Sequence, residues 1–149
     1  PDIHDAAKPY LGVIGNAAKH SDDGPSPTAA IARLQTLLQQ DVGPFRTEEG
    51  LTRALEAIAE MTAALPDMAT GGLAPFNQQL ADWLGLRNML EVARSIATAA
   101  LVRTESRGAH QREDHPGLDD AWGYNQVQRL VGGELQLSRG EVRRLASKE

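Results

Sequence analysis

The stretch FNQQLADWLGLRNMLEVARSIATAALVR, residues 76–103, decides the fold. Leu80, Leu84, Leu86, Leu90, Ala93, Ala97 and Leu101 recur along it at helical spacing, so one face is apolar and the rest polar. No proline interrupts the run. An unbroken helix over it would be about 42 Å long at ~1.5 Å rise per residue. Ala93, Ala97, Ala99 and Ala100 leave room for a neighbouring helix to approach closely.

Two shorter helices precede it. Over residues 26–42, Ser26 is a fitting N-cap with Pro27 at the first helical position, Ile31, Leu34, Leu38 and Val42 form the apolar stripe, and Gly43-Pro44 ends it. A second starts near Thr47, where Glu48 and Glu49 complement the helix dipole. Leu51, Leu55, Ile58 and Leu65 carry its buried face, and Pro66 stops it. Three amphipathic helices with short links predict a mainly α fold, an antiparallel three-helix bundle.

Residues 1–18 are weakly patterned. Gly12-Val-Ile-Gly15 lacks the preceding strand, third glycine and distant acidic residue of a dinucleotide fingerprint, so a turn or a helix end is expected there. Ser, Asp, Gly and Pro crowd residues 19–27 into a linker. Residues 67–74 form a Gly-containing connection, and residues 108–122 a polar loop around Pro116-Gly117. Beyond it, Val127, Leu130 and Val131, then Leu135 and Leu137, flank Gly132-Gly133, which predicts a short extended or β-hairpin tail. Two strands are marginal alone, so the tail needs a surface to dock on. The expected organisation is an N-terminal segment and linker over 1–25, the bundle with its loop over 26–122, and the tail over 123–149.

Composition narrows the function. The chain has 149 residues, 41% hydrophobic and 23% charged, as in ordinary soluble globular domains. Only 4% is aromatic, which favours Ala/Leu helix packing over a β-sandwich. A net charge of −5 argues against a nucleic-acid partner. The richest basic stretch, Arg139, Arg143, Arg144 and Lys148, reads as a solvated tail. There is no cysteine, so disulfides, thiolate nucleophiles and Cys-ligated metal centres are excluded within this chain. No apolar run nears the ~20 residues that span a bilayer, so no direct membrane insertion is expected. A first residue of Pro1 rather than Met fits a processed product or a piece of something longer.

Unusual chemistry is dense only after the long helix. Residues 103–120 hold three arginines, five carboxylates and two histidines. Ser106, His110 and Asp114 lie four apart, but Gly108 and Pro116 oppose a continuous helix, and stacking would not by itself make a nucleophilic relay. His110, Asp114 and His115 match no dedicated metal spacing. Glu113, Asp114, Asp119 and Asp120 have nothing apolar nearby to raise a pKa for acid–base work. The reading we prefer is an ion-pair lattice in which Arg103, Arg107 and Arg112 fix carboxylates and backbone carbonyls at an interface, with Gly108 supplying positive φ or a close approach. Its residues are Arg103, Glu105, Ser106, Arg107, His110, Arg112 and Asp114.

The run Arg103-Thr-Glu-Ser-Arg-Gly-Ala-His110, followed by Arg112, Asp114, Pro116, Asp119-Asp120 and Trp122, resembles the signature after the long helix of succinate dehydrogenase and fumarate reductase flavoproteins. Phe76-Asn77, Asn88-Met89 and Ala93 are similar to that family's long-helix pattern, and Phe45-Arg46 with Glu49-Gly50 to an earlier turn. L-aspartate oxidase is a more distant relative that shares the Glu-Ser-Arg-Gly core. Gly85, Arg87, His115 and Leu118 depart from the pattern. The resemblance implies the C-terminal helical domain of an FAD-dependent oxidoreductase. Its partners would be the flavin-binding domain of the parent protein and an iron–sulfur subunit. FAD would belong to the parent and not be bound by this chain, which carries no counterpart of the family's flavin, substrate or proton-transfer motifs. The sequence does not give the compartment; a soluble chain, in the cytoplasm or at a membrane through partner subunits, fits the resemblance. The alternative is a stand-alone helical interaction module that keeps the scaffold.

Overall fold

A computed structural model of the chain describes residues 3–17, 24–72 and 75–142. Along them run α1 (Ile3–Ala17), α2 (Pro27–Asp41), the two-residue strand β1 (Phe45–Arg46), α3 (Glu48–Ala64) and α4 (Gln78–Val102). A second two-residue strand, β2 (Gln111–Arg112), and a hairpin of β3 (Asn125–Val131) and β4 (Glu134–Gly140) follow. Single 3₁₀ turns lie at Leu65–Asp67 and Asp120–Trp122. The fold is mainly helical, with three main helices in contact and a C-terminal antiparallel hairpin, as the sequence predicts.

Helix ends follow local chemistry. Ser26 Oγ accepts the Ala29 N–H at 3.4 Å, and Pro27 opens α2. Thr47 Oγ1 accepts the Gly50 N–H at 3.1 Å ahead of α3. Pro66 does not stop that helix abruptly; it tightens the last turn into 3₁₀ geometry. Gly12 and Gly15 fall in the second half of α1, so the helical alternative holds there and the turn does not. Sequence pattern hid this helix because Pro9, Gly12 and Gly15 all have low helix propensity. The linker expected over residues 19–27 lies mostly outside the described residues.

The described residues pack as two compact units, one drawn from residues 1–37 and 56–92 and the other from residues 38–55 and 93–149. In the first, Leu34, Ile58, Met61, Leu65, Trp83, Leu86 and Leu90 are buried. Each such side chain contributes about 1.5–3 kcal/mol on removal from water. Trp83 Nε1 donates to the Leu65 carbonyl at 2.8 Å, so the indole is buried without an orphaned donor. Gly24 lets the chain pass against the end of α3, since a Cβ there would lie 2.2 Å from the Asp67 oxygen. Asn77 caps α4 through Oδ1, which accepts the Leu80 N–H at 3.1 Å, while its amide donates to the Thr70 and Gly72 carbonyls.

The second unit buries smaller apolar groups, among them Val42, Leu51, Ala54, Ala93, Ala97 and Ala100. β1 pairs with β2 in parallel, Phe45 opposite Gln111 and Arg46 opposite Arg112. The β3–β4 turn is Gly132-Gly133, with φ of 60° and 89°, the left-handed geometry that a two-residue hairpin needs. The hairpin's docking surface is α4: Gln128 donates to the Ser95 carbonyl at 2.9 Å and also bonds its hydroxyl. Pairing of Gln126 with Arg139 and Gln128 with Leu137 puts glutamines on the docked face, while Val127 and Val131 stay exposed on the other. Among the described residues no helix is long and apolar enough to cross a membrane.

Candidate functional site

The loop after α4 is organised by one guanidinium. A helix end leaves carbonyls without intrahelical partners. Arg112 Nη1 donates to three of them, Ala100 at 3.1 Å, Leu101 at 3.0 Å and Arg103 at 3.2 Å. A cation at a helix C-terminus also matches the dipole. The remaining edge of Arg112 grips Asp114 in a fork, Nε to Oδ1 at 2.7 Å and Nη2 to Oδ2 at 2.8 Å. Asp114 Oδ2 in turn accepts the Glu48 N–H at 2.7 Å, the first residue of α3. One ion pair therefore finishes the end of α4 and the start of α3. Arg112's side chain is fully buried, and its fork holds the Asp114 carboxyl far below the usual carboxylate range.

A buried carboxylate, Glu105, collects the other arginines. Glu105 accepts Arg107 Nε at 2.8 Å and Nη2 at 3.0 Å, the Asp119 N–H at 2.9 Å, and Arg103 Nη1. Arg107's fork, helped by the Asp119 amide and Arg103 and opposed by desolvation, lowers the Glu105 pKa to about 2. Arg103 also donates to the Tyr124 carbonyl at 2.8 Å and lies 5.4 Å over the Trp122 ring. Ser106 is spent on the backbone: Oγ accepts the Arg112 N–H at 2.8 Å and donates toward the Arg112 and His115 carbonyls. Gly108, at φ 60°, makes the turn in which Arg107 and His110 exchange backbone bonds.

His110 meets Arg46 Nη1 at Nδ1, 2.7 Å away. A guanidinium only donates, so Nδ1 is the acceptor and Nε2 carries the proton that goes to the Arg103 carbonyl at 3.2 Å. Burial, opposed by the bond to the Arg103 carbonyl and reinforced by the charges of Arg46, Arg112 and Arg103, lowers the His110 pKa and favours the neutral ring.

The seven lattice residues thus come together. Ser106, His110 and Asp114 do not make a relay, because each is bonded to other partners. Nor do His110, Asp114 and His115 gather as a metal set. Glu48, Asp114 and His115 do place one ligand atom each within 4.8 Å of one another, but both Asp114 oxygens are already held by Arg112. The described residues build no dinucleotide cradle either, since Gly12 and Gly15 lie inside α1 instead of between a strand and a helix. Sequence reasoning missed the roles of Arg46 and Glu48: they lie 64 and 66 positions from His110 and Asp114, and no local pattern links them.

Residues 31–144 match the family described as fumarate reductase flavoprotein C-term. The chain is 36% identical over 107 residues to the fumarate reductase flavoprotein subunit of Mycobacterium tuberculosis, covering 69% of this chain and 18% of that one. It is 36% identical over 92 residues to an uncharacterised FAD-dependent oxidoreductase of Methanocaldococcus jannaschii, 62% of this chain and 16% of that one. Among solved structures, a chain of the Mycobacterium smegmatis Sdh1 complex superposes with a TM-score of 0.82 at 29% identity, over 95% of this chain and 25% of that one. The E. coli quinol fumarate reductase shares the fold, with a TM-score of 0.82 at 21% identity over 98% of this chain and 26% of that one. The chain thus spans about a quarter or less of the length of these relatives.

Proposed function

The chain belongs to the family of succinate dehydrogenase and fumarate reductase flavoprotein C-terminal domains, and from that membership we infer that it is the helical accessory domain of an FAD-dependent oxidoreductase, buttressing the flavin domain and a partner-subunit interface and not catalytic alone. The observation that carries this reading is the lattice itself. Arg112, Glu105 and Ser106 are buried and each has its hydrogen bonds satisfied within the loop and the adjoining helix ends, so they hold a surface in shape and leave no group free to react. Arg103, Arg107, His110 and Asp114 complete the set, and Arg107 is exposed enough to reach outward. Longer relatives of this family are FAD-dependent, and FAD in our reading is held by the upstream domain.

The test pairs the purified chain with the M. tuberculosis flavoprotein subunit shortened by its own matching C-terminal region. The chain is expected to fold as helices, to carry no flavin absorbance alone, and to co-elute with the shortened subunit. Stoichiometric FAD on the isolated chain, or failure to co-elute, would overturn the reading.

A further inference from the structure

Beside the lattice lies a cleft of about 740 Å³, lined by Arg103, Arg107 and Arg139 with Trp122, Tyr124 and Glu141. Its three guanidiniums are not equivalent. Arg103 is consumed by Glu105 and by the Trp122 and Tyr124 carbonyls. Arg107 spends Nε and Nη2 on Glu105 and the Asp119 carbonyl, and among the described residues its Nη1 has no partner. The Arg139 guanidinium has no carboxylate or hydrogen-bond partner among the described residues. Its guanidinium lies 4.5 Å over the Tyr124 ring, which stacks on Trp122 at 5.3 Å. A guanidinium laid on an aromatic face keeps its in-plane donors pointing edgewise, preset for a bidentate acceptor.

A second observation points the same way. The Gln126 Nε2 is buried and has no acceptor among the described residues. Gln126 lines a smaller recess of about 170 Å³ that shares Tyr124 and Arg139 with the cleft. A buried donor left unpaired is costly, and an incoming oxygen removes the cost.

The occupant is therefore acceptor-rich and anionic. On the lining three guanidiniums face one carboxylate, Glu141; off it, the buried Glu105 and the charges of Asp119 and Asp120 act on Arg107, so Arg139 is the cation left to grip an incoming carboxylate. The chain's own sequence after Val142 brings Arg143, Arg144 and Lys148 against Glu149, a net charge of the wrong sign. A lone phosphate would leave the aromatic floor and the separate Gln126 donor unused, whereas an extended acidic segment supplies carboxylates and carbonyls together. We propose that the cleft is a docking site for an acidic segment of a partner protein, with an Asp or Glu carboxylate gripped by Arg139 beside Arg107 and a neighbouring oxygen accepting from Gln126. The proposal rests on the accessory-domain reading and gives the chemistry of the partner face.

Hexaglutamate is the probe, with hexalysine and inorganic phosphate at matched charge as controls, followed by NMR of the two tryptophan indoles of the full chain. Hexaglutamate is expected to shift the Trp122 indole and the Gln126 side-chain amide but not Trp83, which is buried against Leu65. Arg139→Gln should weaken this binding about tenfold or more, the loss typical of a charge-assisted pair, with the circular dichroism unchanged. Arg129→Gln, on the opposite face of the hairpin, should weaken it no more than about twofold, as a screened surface charge does. No shift at Trp122, equal losses in the two variants, or phosphate binding as tightly as the peptide would overturn the proposal. Undiminished co-elution of Arg139→Gln with the shortened flavoprotein subunit would overturn it too, while leaving the accessory-domain reading in place. Failure of both forms to co-elute strikes that reading itself.

Discussion

In residues 24–37 and 56–92 the buried centre is Leu34, Ile58, Met61, Trp83, Leu86 and Leu90, joined by one side-chain hydrogen bond from Trp83. In residues 38–55 and 93–142 the largest fully buried side chain is Arg112, and Glu105 is buried with it. Apolar packing is graded: it weakens by the area and volume removed, and similar shapes substitute for one another. A buried ionic network is nearly all-or-none, because removing one member strands the charge and the carbonyls it served. The two regions should therefore answer differently to the same class of conservative change.

Arg112→Ala is the harshest way to press that difference. It should cost about 3–5 kcal/mol in urea unfolding, since Asp114 loses its fork and three carbonyls, two in the last turn of α4 and one just past it, lose their donor. Arg112→Lys should recover little of this, because an ammonium cannot reproduce the fork. Leu86→Met, in the first unit, should cost less than ~1.5 kcal/mol. Equal tolerance of Arg112→Lys and Leu86→Met would erase the contrast.

Acid gives the next largest separation. Glu105 ionises at about 2 in the fold against an ordinary 4.5, so the unfolded chain binds its proton first as pH falls. The stability it contributes is complete above pH 4.5 and is lost as pH drops toward 2. His110, with its pKa below 6.5, adds an earlier loss of the same sign that begins as pH falls through that value. Glu105→Gln should be less stable at neutral pH but flatter between pH 4.5 and 2, while core variants such as Ile58→Val keep the wild-type slope. An unchanged slope in Glu105→Gln would place the acid sensitivity elsewhere.

The mildest change sharpens the comparison from the other side. Asn77→Ala removes the cap of α4 in the first unit and should cost about 1 kcal/mol. The Thr70 and Gly72 carbonyls also lose a donor, but no buried charge is stranded, so the loss stays below that of Arg112→Ala at the other end of the same helix.

Most of the helical fold was legible because its signals are local. Ser26-Pro27, Glu48-Glu49 and the Leu and Ala stripe of residues 76–103 act within one or two turns, and Gly132-Gly133 names its own turn. α1 was not legible, since Pro9 and two glycines blur its period. The loop's composition marked it as an ionic lattice, but not which arginine would be buried. That depends on Arg46, Glu48 and the open carbonyls of α4, which reach the loop only once the chain has folded. Arg139 reads in the sequence as part of a solvated basic tail, and its stacking on Tyr124 was not legible for the same reason, the two being 15 positions apart and joined only across the β3–β4 pairing.

The Glu48 amide has a consequence of its own. Its hydrogen is held by Asp114, which is held by Arg112, which closes the last turn of α4. The amide exchanges only when its bond to Asp114 opens, and the Arg112 fork resists that opening. In a hydrogen–deuterium exchange experiment it should not behave as a frayed first-turn proton. Its exchange should follow the opening of the loop, making residues far apart in sequence one cooperative unit of local unfolding.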